Sequence, residues 1–191
     1  MIPIIKEIIE YNPVNEQEAK DKKLILDYYQ NYKEFSFSRE SVVSHFSSSC
    51  WIVDETMSYV LVHFHNLYQN WGWLGGHADN EFNLLDVAIR EAHEESGLVN
   101  ITPVSDKFIS LEVLPVHPHI KHNKFVSAHL HMNVTYLFTA SMDDEIRIKP
   151  DENSAIKWVP LDEIVELTNE ACMKPIYKKL NDYVKKIRSA R

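Results

Sequence analysis

Glycine occurs only four times in 191 residues, and three of the four fall within Trp71-Gly72-Trp73-Leu74-Gly75-Gly76. A cluster in so glycine-poor a chain marks either a tight hairpin loop with positive φ or a backbone that something approaches closely, because a missing Cβ permits both. The fourth, Gly97, closes a second pattern. From Asn83 to Ser96 the chain reads as a helix: Asn83 suits the N-cap, Asp86 stands three residues on as in a capping box, and Gly97 suits the C-terminal stop. Leu85, Ala88, Ile89 and Ala92 recur at i, i+3, i+4 and i+7, which predicts one buried stripe with two alanines close to a sheet. A glycine-rich strand end feeding a well-bounded helix is the unit around which the rest must be arranged.

The remaining chain is long enough for one domain with an extension, against a usual ~100–200 residues per domain. An apolar fraction of 45% and an aromatic fraction of 11% supply a sizeable core. Val14 to Lys33 has helical composition after Pro13, giving an N-terminal helical arm over 1–38, with Phe35–Arg39 as a linker into a main domain over 39–191. Ser49–Val53 and Ser58–His65 read as a hairpin about Asp54-Glu55-Thr56, Lys107–Pro115 and Leu130–Ala140 as strands, and Ala155–Val159 as a last strand. Leu161–Leu167 and an amphipathic stretch from Ile176 to Ile187 read as closing helices.

A formal net charge of −8 argues against a basic face for bulk nucleic acid. An acidic protein can still handle small phosphorylated ligands through a divalent cation. The opening residues lack a basic n-region with a long apolar run, and no stretch approaches ~18 apolar residues, so neither export nor a membrane span is expected. Cys50 and Cys172 are far apart and without metal or redox spacing, which fits a reducing cytoplasm.

The densest chemistry is Arg90-Glu91-Ala92-His93-Glu94-Glu95-Ser96-Gly97. Glu91 and Glu95 are i, i+4 neighbours and Glu94 lies a turn from Glu91, so the three carboxylates project to one side of the helix. The plain reading is a solvated acidic face. Arg90 can pair with Glu94, but one guanidinium does not neutralise three carboxylates, whereas a hard oxygen-seeking ion such as Mg²⁺ or Mn²⁺ does.

Here the sequence resembles the Nudix hydrolase family. Its box runs Gly, five residues, Glu, seven residues, then Arg-Glu-apolar-x-Glu-Glu-x-Gly-apolar, and Gly76, Arg90, Glu91, Ala92, Glu94, Glu95, Gly97 and Leu98 stand at that spacing. One position departs: the first Glu of the box falls on Phe82, with Glu81 and Asp79 nearby but out of register. The resemblance implies an α/β/α sandwich with a mixed, curved sheet. It also implies cleavage of a diphosphate linked to another moiety, typically a nucleoside diphosphate derivative, by water attack on phosphorus. By the same carry-over Glu94, Glu95 and the Gly75 carbonyl are metal ligands, Glu91 is a ligand or the group that orients and deprotonates water, and Arg90 holds the glutamates. Many members add a carboxylate from outside the box; Glu152 is the first candidate and Glu112 the second. Dimerisation is common among relatives, and the helical arm is a place for it.

Two further readings keep the family but change the activity. One is a catalytically silent nucleotide-sensing or binding module. The other is isopentenyl diphosphate isomerase, to which Ser44-His45-Phe46 is faintly similar; that enzyme needs a cysteine beside Trp73-Leu74-Gly75-Gly76, where none stands.

Ten histidines remain, five of them in His117-Pro118-His119, His122 and His129-Leu130-His131. His129 and His131 share a strand face, as two ligands of a zinc site would, yet no third ligand accompanies them at a recognisable spacing. His119, Lys121, His122 and Lys124 read either as a loop that meets substrate phosphates or as a solvated polar loop. His77 beside the glycine pair is placed at the site, and Trp71, Trp73 and Phe125 are candidates for stacking on a base or for strand-end packing.

Overall fold

The computed structural model describes residues 1–121 and 123–190; His122, one of the candidate phosphate contacts, lies outside the described residues. The chain opens with α1 (Pro3–Glu10), where only a short apolar stretch was expected. Its Ile4, Ile5 and Ile8 share one face and are buried. After a turn, α2 (Glu16–Tyr32) begins under Asn15, whose side chain accepts the Glu18 N–H at 2.9 Å. The expected linker is instead a 3-10 turn, Lys33–Phe37, because Phe37 is wholly buried and stacks on Phe46 with ring centroids 4.3 Å apart.

Strand β1 (Ser44–Asp54) is buried along its whole length and starts five residues earlier than the sequence suggested. It forms the expected hairpin with β2 (Tyr59–His65), closed by the Asp54 carboxylate, which accepts the Ser58 and Tyr59 N–H groups at 2.7 Å each. Two short strands follow, β3 (Asn70–Gly72) and β4 (Leu74–His77), then α3 (Leu84–Ser96). Beyond it lie β5 (Thr102–Pro103), β6 (Ser110–Val116), β7 (His119–Lys121), β8 (Lys124–Val126), β9 (His129–Ala140) and β10 (Asn153–Pro160). Helices α4 (Glu163–Leu167) and α5 (Met173–Ser189) close the chain.

Among the described residues eight strands form one mixed sheet with β10-β2-β1-β9-β5 as its spine; β3 lies on β2, β4 on β1 and β6 on β9. β1 and β9 are parallel from Ser44 opposite Leu130 to Asp54 opposite Ala140, and the other pairings are antiparallel. A central strand buried on both faces requires cover on both sides, and it has it. Phe46, Cys50 and Ile52 join a core with α1, α2 and α3; Trp51 and Val53 join a second core with α4 and α5. This is the expected α/β sandwich. The far edge of β1 is shared, with β4 pairing to Ser47–Cys50 and β2 to Val53, so β2 and β4 part company and leave room between them.

Three local expectations need correction. On α3 the buried apolar residues are Leu84, Val87, Ala88 and Ala92, while Leu85 and Ile89 are half-buried. The helix is rotated because Ser48 Oγ and Cys50 Sγ donate to the carbonyls of Leu84 and Ala88 at 2.7 and 2.9 Å, and because Glu95 takes a buried position. Asn83 sits at the N-cap but donates its amide to Asp86 at 2.6 Å rather than accepting a helix N–H. The supposed loop around His119 and Lys124 is a two-stranded ribbon, β7 against β8, with Phe125 exposed.

Candidate active site

The last two turns of α3 carry the site. Gly97 stops the helix in the left-handed region at φ 71°, its N–H donating to the His93 carbonyl at 2.9 Å. The segment leading into β10 and the first residue of that strand then clasp the helix end: the Arg147 N–H donates to the Ser96 carbonyl at 2.6 Å, and the Asn153 side-chain amide to the Glu95 carbonyl at 3.0 Å. That clasp brings Glu152 to the helix. Oxygens of Glu91, Glu95 and Glu152 all lie within 4.8 Å of one another.

Gly76 explains why the cluster can form. A Cβ on Gly76 would fall on the Glu91 carboxyl group, so the close-approach reading of the glycine pair is the right one there. The neighbouring Gly75 donates its N–H to Glu95 Oε2 at 2.8 Å, and His63 Nδ1 stands 3.9 Å from the other Glu95 oxygen.

The electrostatics follow from burial and crowding. Burial holds the Glu95 carboxyl well above the usual carboxylate range, and its hydrogen bond with Glu152 and that residue's charge push the same way against the Gly75 N–H. Burial also raises Glu91, with Arg90 opposing. Burial alone would raise Glu152, but its bond to Glu95 and the Lys149 ammonium leave it lowered. Two carboxyls joined by a hydrogen bond need a proton between them, and a divalent cation supplies the same counter-charge. The donor set is all carboxylate oxygen, which suits a hard ion.

Glu94 is held aside, exposed, with Lys149 Nζ 2.9 Å from one oxygen and Arg90 Nε 3.8 Å from the other. Arg90 pairs chiefly with Glu81 and, at 3.1 Å, with Glu91. Thus Glu81, one position out of register, is the acidic partner of Arg90, while Phe82 packs edge-on against Phe37 at 5.1 Å. Lys149 and His63 were missed in the sequence; Lys149 carries only the signal of standing three residues before Glu152.

A cleft of about 430 Å³ lies beside this cluster, lined by Ser47, Ser49, His63, Trp71, Trp73, Gly75 and Gly76 among others. Ser47 and Ser49 donate to Asn133 Oδ1 at 3.1 and 2.9 Å, fixing one wall. His77 reaches this cleft and a second one of about 410 Å³, where Lys121 and Phe125 lie. Glu112, the second outside carboxylate, is elsewhere: it is fully buried and bonded to Lys179 at 2.9 Å. Cys50 is buried on the α3 side, its thiol pushed well up by burial. Burial likewise pulls the imidazoles of His45 and His77 below their ordinary value, His131 and His63 to about 3, and His65 to about 4.

A mixed sheet between helical layers, with a glycine pair set against an acidic helix end, defines the Nudix class of hydrolases. The family model for the NUDIX domain matches residues 43–180. The chain belongs to the Nudix family, and its enzyme class is therefore pyrophosphohydrolase. Solved structures agree on the fold. A C. elegans Ap4A hydrolase is 18% identical, with 73% of this chain and 97% of that one aligned at a TM-score of 0.55. RenU, a Nudix hydrolase from M. smegmatis, is 16% identical over 75% and 87% of the two chains, TM-score 0.54. The E. coli dihydroneopterin triphosphate pyrophosphohydrolase is 15% identical over 70% and 92%, TM-score 0.52. No curated protein matches the chain.

Proposed function

We propose that this protein hydrolyses the pyrophosphate bond of a small nucleotide-type diphosphate, with Mg²⁺ or Mn²⁺ held at Glu91, Glu95 and Glu152, and that water attacks phosphorus. The observation that carries the proposal is the convergence of those three carboxylates across 61 positions of sequence, from Glu91 to Glu152, in a chain whose Gly76 leaves room for one of them. Glu94 and the Gly75 carbonyl complete the proposed ligand set once Glu94 leaves Lys149. The bound ion would neutralise charge developing on the phosphoryl oxygens and lower the pKa of a bound water.

The chain's own residues supply the rest. Glu91 serves in this proposal as a ligand or as the group that orients and deprotonates the attacking water, and its half-buried carboxyl, raised by burial, supports the second role. Arg90, braced between Glu81 and Glu91, orients that carboxylate toward the proposed ion site. Trp71 and Trp73 in the cleft wall offer faces for a base. Lys121 and His77 remain proposed phosphate contacts. We further propose the cytoplasm as the compartment, in keeping with two free cysteines, and residues 1–38 as an accessory arm to a catalytic domain over 39–191. No helix among the described residues is long and apolar enough to cross a membrane.

The test is turnover of a panel of nucleoside diphosphate derivatives with Mg²⁺ or Mn²⁺, for the wild type against Glu91→Gln and Glu95→Gln. Each variant is expected to lose about 100-fold or more in kcat, and to melt no lower than the wild type in metal-free buffer, since the amide replaces a carboxyl whose charged form burial and crowding already disfavour. Saturable nucleotide binding without turnover by the wild type would replace the hydrolase reading with a sensor.

A further inference from the structure

His45, His77, His129 and His131 come together on one face of the sheet, each offering a ring nitrogen, and the four nitrogens lie within 4.8 Å of one another. The register explains the meeting. His45 on β1 stands directly opposite His131 on β9, His129 lies two residues before His131 on the same face, and His77 on β4 pairs with Ser47, two residues beyond His45. No third ligand stands at a recognisable spacing along the sequence, but in space His129 and His131 are joined by histidines from two other strands.

The rings are set with their nitrogens aimed inward. His45 Nδ1 is 3.1 Å from the Ser41 carbonyl and His129 Nδ1 is 2.9 Å from the Ser127 carbonyl, so both carry their proton on Nδ1 and present Nε2 as a lone pair. His45 is only 4% exposed, and its Nε2 has no hydrogen-bond partner among the described residues. A buried acceptor left so costs stability unless something occupies it. His129 Nε2 and His131 Nε2 are 3.2 Å apart. Metal–nitrogen bonds of about 2.0–2.1 Å in a tetrahedron put neighbouring nitrogens about 3.3–3.4 Å apart, close to that spacing. No pair needs to close by more than roughly 1.5 Å, within the reach of small side-chain rotations. Backbone carbonyls on the outer nitrogens are the usual support for imidazole ligands.

We infer that these four histidines form a second metal site, distinct from the carboxylate cluster, that takes a borderline transition-metal ion, Zn²⁺ first, and not Mg²⁺. Imidazole selects ions of that class, while carboxylates hold the hard ones, so one chain can sort two metals by ligand chemistry. Arg39 flanks the site but is matched by Asp79, at 2.5 and 2.6 Å, which limits its repulsion of a cation. The inference stands independently of the diphosphate reaction.

The test uses the full chain, stripped with a chelator, loaded with Zn²⁺ or Co²⁺ in excess Mg²⁺, and freed of unbound metal. About one zinc per chain is expected, and the cobalt form should show the intense visible bands of four-coordinate nitrogen ligation. A His129→Ala/His131→Ala double variant should bind zinc about 100-fold more weakly or worse, and Glu95→Gln should bind it as the wild type does. Zinc titration of the wild type, followed by nitrogen shifts of the histidine rings, keeps the test independent of how the variants fold. A wild type that retains less than about a tenth of an ion per chain would overturn the inference. So would zinc that persists in the double variant, or zinc that is lost with Glu95→Gln.

Discussion

Gly76 is where one atom bears most on the proposed chemistry. A Cβ there meets the carboxyl end of Glu91, a flexible group that can swing aside, so Gly76→Ala should melt close to the wild type and yet lose its activity. A displacement of about 1 Å at a reacting group can cost about 100-fold. The expected outcome is a fall in kcat of that order with a small change in Tm, read from steady-state kinetics and a thermal melt on the same preparation. The sequence carried this position because the glycine cluster, the helix caps and the acidic spacing all lie within one short stretch. Glu152 was only a candidate there, since nothing local to it signals the clasp by Asn153 and Arg147 on the end of α3. His45 and His77 were illegible as partners of His129 and His131, because their meeting depends on the register of three strands.

At the scale of the element, the β1–β2 turn depends on Asp54. Burial opposes the ionised form, but hydrogen bonds from Thr56, Tyr59 and Ser58 outweigh it and hold the carboxyl below its ordinary value of 3.8. A carboxyl depressed on folding adds stability that is full above the unfolded pKa and is lost as pH falls through the folded one. Asp54→Ala should therefore cost about 2 kcal/mol at neutral pH, and its deficit against the wild type should shrink as pH falls below about 4. Denaturant melts at pH 7 and pH 3 check both parts. Elements with strong periodicity, such as α3 and α5, were legible to within a few residues. The eight-residue α1 was not, because a helix that short has no stability of its own and is fixed by burying Ile4, Ile5 and Ile8 on the core. On α3 the stripe was legible but misaligned, since Glu95, a proposed metal ligand, occupies part of the buried face that apolar periodicity assigns to hydrophobic side chains.

The whole molecule is tied together by a buried charge triad. Lys179 on α5 is 2.7 Å from Glu18 on α2 and 2.9 Å from Glu112 on β6, and both carboxylates are fully buried. Asn133 connects the triad to the cleft: its amide donates to Glu112 at 3.3 Å while its oxygen receives Ser47 and Ser49. Lys179→Met would leave two carboxylates without their cation and should cost about 3–5 kcal/mol, or about 10 °C in Tm for a chain of this size. Scanning calorimetry reads this directly. No sequence pattern announced the triad, because Glu18, Glu112 and Lys179 each look like surface charges in a helix or strand.

The same triad sets an order of events during synthesis. Glu18 and Lys179 are 161 positions apart. As the nascent chain leaves the ribosome, the amino-terminal helices emerge with a carboxylate destined for the interior and no ammonium to meet it. The interior around Glu18 and Glu112 therefore closes only once the segment that carries Lys179 has been made.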